Sequence, residues 1–204
     1  MSETEANPVA AATATVSRTD LIRRLLGLFS PPGRVVDLAT GHGKFARVAA
    51  QEGWQVTAVD ARTERFPDPR PADIEWVQSD IRDLDVEPFD VVMCLGLFYH
   101  LTLEDQLDLL SRVRCPMIID THIDHGVSPH EAKLSDRVEL QGYRGRFYKE
   151  PGLLTSSWGN DESFWPDLES FHRMLTEAGF PLVLTKEPWL WPDRTMFVAL
   201  PEGA

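Results

Sequence analysis

The sequence predicts an α/β fold: a doubly wound, mainly parallel seven-stranded sheet that ends in an antiparallel C-terminal strand pair. Three observations predict it. Short apolar runs alternate with amphipathic helical patterns from residue 34 to about 120, which implies crossover connections and a sheet covered on both faces. A glycine-bearing turn joins the first run to the helix after it. Two strand-like runs at the end flank a short Trp/Pro turn and read as a hairpin at the sheet edge.

The elements follow in order. Residues 1–16 are rich in Ala, Thr and Glu, have no apolar face, and read as a disordered tail ahead of one domain over 17–204. Ser17 or Thr19 caps a helix that places Leu21, Ile22, Leu25, Leu26 and Phe29 at helical spacing, and Pro31-Pro32-Gly33 ends it. Arg34 to Leu38 reads as a buried strand, Lys44 to Gln51 as a helix stopped by Gly53, and Gln55 to Asp60 as the second strand. Ile74 to Gln78 and Phe89 to Leu95 are the third and fourth. Leu103 to Val113 is an amphipathic helix and Met117 to Asp120 the fifth strand. Between about 124 and 165 periodicity is weak. A long irregular insertion in a compact domain suggests a lid over a site. Pro166 to Gly179 resumes as a helix through Leu168, Phe171, Leu175 and Ala178. Pro181 to Glu187 and Thr195 to Leu200 form the closing strands, and Trp189 and Trp191 between them read as packing or a homodimer contact.

Composition narrows the function classes. The 204 residues carry 20 Lys plus Arg against 32 Asp plus Glu, a net charge of -12. An acidic surface repels a phosphate backbone, so nucleic acid is not the expected partner. Arg144, Arg146 and Lys149 make the only concentrated basic patch of the C-terminal half. The longest apolar runs, such as Val91 to Phe98, are too short to span a bilayer, and the N-terminus, with Glu3 and Glu5, lacks the apolar core of a signal peptide. Two cysteines, Cys94 and Cys115, give no disulfide framework and fit a reducing cytoplasm.

The chemistry-bearing stretch is Val35-Val36-Asp37-Leu38-Ala39-Thr40-Gly41-His42-Gly43-Lys44-Phe45-Ala46. Small residues in its turn let a ligand approach the backbone, and the following helix offers free N–H groups. Asp60 ends the next strand, where a carboxylate can accept from both hydroxyls of a ribose. Read literally, Gly41 to Ala46 also satisfies the dinucleotide fingerprint G-x-G-x-x-G/A. A P-loop is excluded by Phe45 and Leu38 at positions that need Ser or Thr and Gly.

Four features in order resemble the class I methyltransferases that depend on S-adenosylmethionine. Asp37-Leu38-Ala39-Thr40-Gly41-His42-Gly43 matches that family's D-x-G-x-G-x-G loop, with Ala39 in place of the first glycine. Val56 to Asp60 matches the strand ending in a ribose-binding acid. Gln78-Ser79-Asp80-Ile81 matches the adenine turn, and Phe89 to Leu95 the strand beneath the methyl donor. The resemblance covers roughly residues 30–122 by motif and the C-terminal strands by topology. It implies that Asp37 orients the cofactor's amino group. Ala39, Thr40, Gly41 and Gly43 then line its methionine part. Asp60 holds the ribose with Ala61 beside it, Asp80 holds the adenine amine with Ile81 against the ring, and Leu95 and Gly96 sit beside the sulfonium. Alanine at 39 implies an ordinary backbone conformation there.

The acceptor side is less determined. Cys94 to Leu101 resembles the segment after this strand in many small-molecule methyltransferases and in some tRNA wobble-uridine modifying enzymes. His100, at the carboxyl end of a parallel strand, is either a general base or a residue that hydrogen-bonds the loop. Alternation puts Asp120, His122 and Asp124 on one side of the fifth strand. His122 and His125 are alternative bases, and no metal is expected. In the insertion, Tyr143, Tyr148, Trp158, Asn160 and Trp165, together with Tyr99, form either an acceptor pocket or an aromatic cluster that pins a loop. The resulting expectation is transfer of a methyl group to O or N of a small secondary-metabolite or sugar-like acceptor. An RNA methyltransferase, a nicotinamide-dependent oxidoreductase and a non-enzymatic cofactor-binding protein are the alternatives.

Overall fold

The computed structural model describes residues 16–29, 33–186 and 193–203. Apart from Val16 the expected tail lies outside the described residues, as do Pro31, Pro32, Trp189 and Trp191.

Ser17 opens α1 (Arg18–Leu26), its hydroxyl accepting from the Asp20 amide. The chain then runs through β1 (Arg34–Leu38), α2 (Lys44–Gln51), β2 (Gln55–Asp60), β3 (Ile74–Gln78) and β4 (Val91–Leu95). It continues through α3 (Leu103–Arg112), β5 (Met117–His122), β6 (Leu134–Leu140), β7 (Tyr143–Lys149), β8 (Glu162–Pro166), α4 (Leu168–Glu177), β9 (Leu182–Lys186) and β10 (Arg194–Leu200). The main sheet has seven strands in the order β3-β2-β1-β4-β5-β10-β9. The first five in that order pair parallel, and β10 runs antiparallel to both β5 and β9. This is the doubly wound sheet with an antiparallel C-terminal pair that the sequence predicts.

Side chains alternate between the two faces. Val35, Met93, Ile118 and Met196 pack with Ile22 and Leu26 of α1 and Phe45, Ala46 and Ala49 of α2. Val36, Val92, Ile119 and Phe197 pack with Leu109 and Leu110 of α3 and Phe171 and Leu175 of α4. Cys94 belongs to the second face. It is fully buried, and burial pushes its thiol up to about 12, so it is a core residue, as expected.

The strand order reverses between β1 and β4, because β1 leads outward to β2 and β3 while β4 leads to β5. The loops leaving β1 and β4 therefore part, and a crevice opens at their carboxyl ends.

The insertion is more regular than its sequence suggests. β6, β7 and β8 form a separate three-stranded antiparallel sheet. Leu140 pairs with Tyr143 across a two-residue turn of Gln141 and Gly142, with φ of +51° and +83°. Two left-handed residues match the twist of the flanking strands, as a tight hairpin requires. Asp167, immediately after β8, caps α4 by accepting from the Ser170 amide, so the helix starts two residues after the Pro166 expected to begin it.

Candidate active site

A cavity of about 340 Å³ fills the crevice between the β1 and β4 ends. Its cofactor-side wall comes from the turns after β1, β2 and β3. Asp37, buried at the end of β1, accepts from the Thr40 hydroxyl at 2.6 Å and the Ala46 amide at 3.1 Å. Loss of water outweighs these bonds and raises its carboxyl to about 6. Asp60 accepts from the Gly41 and Arg62 amides, each at 2.9 Å, which ties the two turns together and leaves its remaining lone pairs to the cavity. Asp80 accepts from the Arg82 amide and guanidinium. Ala39, Thr40, Ala61, Ile81, Leu95 and Gly96 complete this wall.

Gly41 and Gly43 stand behind the turn rather than on the cavity surface. A methyl group on Gly43 would overlap the Trp76 ring, and φ is +67° there, so only glycine fits. Ala39 corrects the expectation of an ordinary backbone. Its φ is +54°, in the left-handed region. The turn must reverse over few residues between β1 and α2, with Thr40 N donating to Val59 O at 2.9 Å, and that geometry overrides the side chain's preference.

The opposite wall holds Leu97, Tyr99, His100, Arg18 and Arg194. His100 Nδ1 lies 2.9 Å from Glu150 Oε1. Glu150 is nine-tenths buried and also accepts from the Ser163 hydroxyl and the Ser157 amide. Burial pushes its carboxyl up, but His100 and Ser163 pull harder, so it sits below the usual carboxylate range. An ionised Glu150 fixes the proton on Nδ1 and leaves Nε2 as an acceptor with no hydrogen-bond partner among the described residues.

Thr155, Ser156, Ser157 and Trp158 of the insertion cover part of the cavity. Arg62 donates to the Ser156 and Ser157 carbonyls at 3.0 and 2.8 Å and lies over the Trp158 ring. Arg82 reaches the Trp158 carbonyl while holding Asp105 with two bonds. Each of these arginines is two residues beyond an acid of the cofactor wall.

Other sequence candidates lie elsewhere. His122 is buried behind Tyr99, stacked 4.4 Å from Trp165, with Nδ1 3.0 Å from Asp193 Oδ1. Burial lowers its pKa and keeps it neutral. His125 bonds the Thr195 hydroxyl. Neither lines the cavity. Trp165 stacks on Tyr148 and donates to the Tyr99 carbonyl, Tyr143 bonds Glu177, and Asn160 donates to the carbonyls of His100 and Glu162. Trp165 and Asn160 thus pin the insertion to the Tyr99–His100 segment, and none of the four lines the cavity. The two arginines of the basic patch are engaged in ion pairs: Arg146 with Glu131, and Arg144 with Asp167 and Glu169. His122, His130 and Asp193 bring ligand-type atoms within 4.8 Å of one another, although Asp193 is already engaged by His122 and Ser128.

Sequence reasoning missed Glu150, Arg18, Arg194, Arg62 and Arg82 as site residues. They come from segments far apart in the chain, and only Arg62 and Arg82, each two residues after a cofactor-wall acid, leave a local pattern to read.

Residues 35–115 match a protein family described as a methyltransferase domain. The N-terminal domain of EvdMO1 with S-adenosylhomocysteine bound superposes with a TM-score of 0.70 at 21% identity, covering 91% of this chain and 82% of that one. The 1,6-didemethyltoxoflavin-N1-methyltransferase of Burkholderia thailandensis, with S-adenosylhomocysteine, gives 0.61 at 18% identity, covering 90% and 76%. The glycopeptide N-methyltransferase MtfA, with the same ligand, gives 0.60 at 20%, covering 90% and 89%. No curated protein sequence matches the chain. The seven-stranded sheet with its antiparallel C-terminal pair is the fold of these methyltransferases. The matched segment and these S-adenosylhomocysteine-bound structures support an S-adenosylmethionine-dependent methyltransferase, with S-adenosylmethionine as its cofactor.

Proposed function

We propose that this methyltransferase acts on a small molecule and that the methyl group goes to a hydroxyl oxygen. A nitrogen acceptor is the second choice. One observation carries the preference: His100 lines the cavity with Nδ1 held by a buried carboxylate. An amine needs little help in losing a proton, whereas a hydroxyl needs a base.

When bound, S-adenosylmethionine supplies an electrophilic methyl on its sulfonium. The residues of the chain do the rest. Asp60 and Asp80 grip the ribose and adenine ends, and Asp37 takes the ammonium. Tyr99 and Trp158 flank the acceptor, while the insertion, pinned by Arg62 and Arg82, serves as the lid that keeps water from the reacting atoms. His100 Nε2 would receive the proton of the acceptor hydroxyl as its oxygen takes up the methyl group, with S-adenosylhomocysteine left as the other product. Glu150 stabilises the imidazolium. His122 and His125 have no part in this step. That EvdMO1 was also crystallised in the presence of D-fucose supports a sugar-like acceptor.

The test follows release of S-adenosylhomocysteine over a panel of hydroxylated sugars and phenols. His100→Ala is expected to lower kcat by about 100-fold or more, with binding of S-adenosylhomocysteine unchanged. Full activity in that variant would overturn the base assignment.

A further inference from the structure

The cavity is basic although the chain is acidic. Arg18, Lys44, Arg62, Arg65, Arg82 and Arg194 line it, against the acids Asp37, Asp60 and Asp80, whereas the whole chain has a net charge of -12. The excess is concentrated at the acceptor end. There Asp120, with no exposed surface, is gripped by two guanidiniums at once. Arg194 of β10 binds it through Nε at 2.7 Å and Nη2 at 3.1 Å. Arg18 of α1 pairs with the same carboxylate and donates to the Leu95 carbonyl at 3.0 Å. Asp120 is thus the one carboxylate that touches both guanidiniums, while buried Asp37 acts on Arg18 only through its longer-range field. Arg18 Nε is buried with no hydrogen-bond partner among the described residues. Arg194 Nη1 reaches the Tyr99 hydroxyl at 3.2 Å. Gly96 leaves room beside the pair, since a Cβ there would stand 3.1 Å from Arg194 Nη2.

An unbalanced guanidinium in a half-enclosed site is costly unless an anion meets it. The cofactor deepens the imbalance, because its sulfonium and ammonium outnumber its single carboxylate. We propose that Arg18 and Arg194, with Tyr99 between them, form a subsite for the carboxylate of a bound ligand, and that the ligand is the acceptor: a small hydroxylated acid. The proposal rests on the methyl-transfer reading of the cavity and narrows its substrate class. A carboxylate here matches the planar fork of a guanidinium, and it offsets the sulfonium charge beside the reacting atoms. Arg18 also lies over the face of the Phe45 ring, 4.5 Å from its centre, which ties α1 to α2 beside the cavity.

The cofactor's own carboxylate is the rival source, and the experiment separates the two. Arginine Nε–H signals of the full chain are followed by NMR while acetate or benzoate is added, with and without saturating S-adenosylhomocysteine. The Arg144 signal, remote from the cavity, is the control. The expected result is millimolar binding of benzoate that moves the Arg18 and Arg194 signals in the cofactor-saturated protein. Arg18→Gln should weaken that binding about tenfold, the usual scale for one charge-assisted bond. Shifts seen only without S-adenosylhomocysteine would assign the subsite to the cofactor and overturn the acid-acceptor proposal. No shift in either sample would overturn the subsite itself. Failure of S-adenosylhomocysteine to bind would show in the same titration and would count against the cavity reading, not against the subsite alone.

Discussion

Asp37 shows how one side chain couples the fold to its ligand. Burial raises its carboxyl from 3.8 to about 6. The folded chain therefore holds a proton that the unfolded chain releases between those values. Stability from this group rises as pH falls through 6 toward 4, the reverse of a salt-bridged acid. Binding works in the opposite sense, because an ammonium beside Asp37 favours the ionised form. Affinity for S-adenosylhomocysteine is expected to fall as pH drops below about 6, approaching tenfold per unit. Calorimetry at pH 6 should show proton release on binding, and Asp37→Asn should abolish both effects. A flat profile between pH 5 and 8 in the unaltered protein would contradict this. Ala39, two residues on, holds a left-handed φ at a cost of about 1 kcal/mol, which the sequence hides because alanine disfavours that region.

The elements around the crevice were legible to different degrees. β1, α2, β2 and β3 begin and end where the sequence reading puts them, because each is an apolar run or helical stripe bounded by Gly, Pro or a charge. β4 was read from Phe89 but starts at Val91, since the Asp90 carboxylate turns back to accept from the Arg34 amide at 2.7 Å. β6 and β7 were read as irregular because both expose charged residues, which masks the period of two. The readable clue was Gln141-Gly142 between alternating residues. The joint between β1 and α2 is the element most sensitive to change. Gly43→Ala places a methyl group into the Trp76 ring at a φ of +67°. It should lower stability by about 2 kcal/mol or more and weaken cofactor binding with it, as read by thermal unfolding with and without S-adenosylhomocysteine. An unchanged melting temperature would show that the turn can relax.

At the scale of the molecule, a motif places the cofactor half of the site and long-range packing places the acceptor half. Asp37, Asp60 and Leu95 sit at strand ends and Asp80 in the turn just past β3, so their order along the chain already gave their position in the sheet. Arg18, Glu150 and Arg194 come from α1, the insertion and β10, and only the folded chain brings them together around Tyr99 and His100. His122, His125, Tyr143, Tyr148, Asn160 and Trp165 do not line the cavity, because their strands and turns direct them into packing and hydrogen bonds elsewhere. The most direct test of this arrangement is calorimetric titration of the protein with S-adenosylhomocysteine, with NADH as the control. The account predicts micromolar binding of S-adenosylhomocysteine, weakened about 100-fold in Asp60→Ala through loss of the carboxylate's bonds to the ribose, and none of NADH. Binding that ignores Asp60→Ala, or binding of NADH alone, would contradict it.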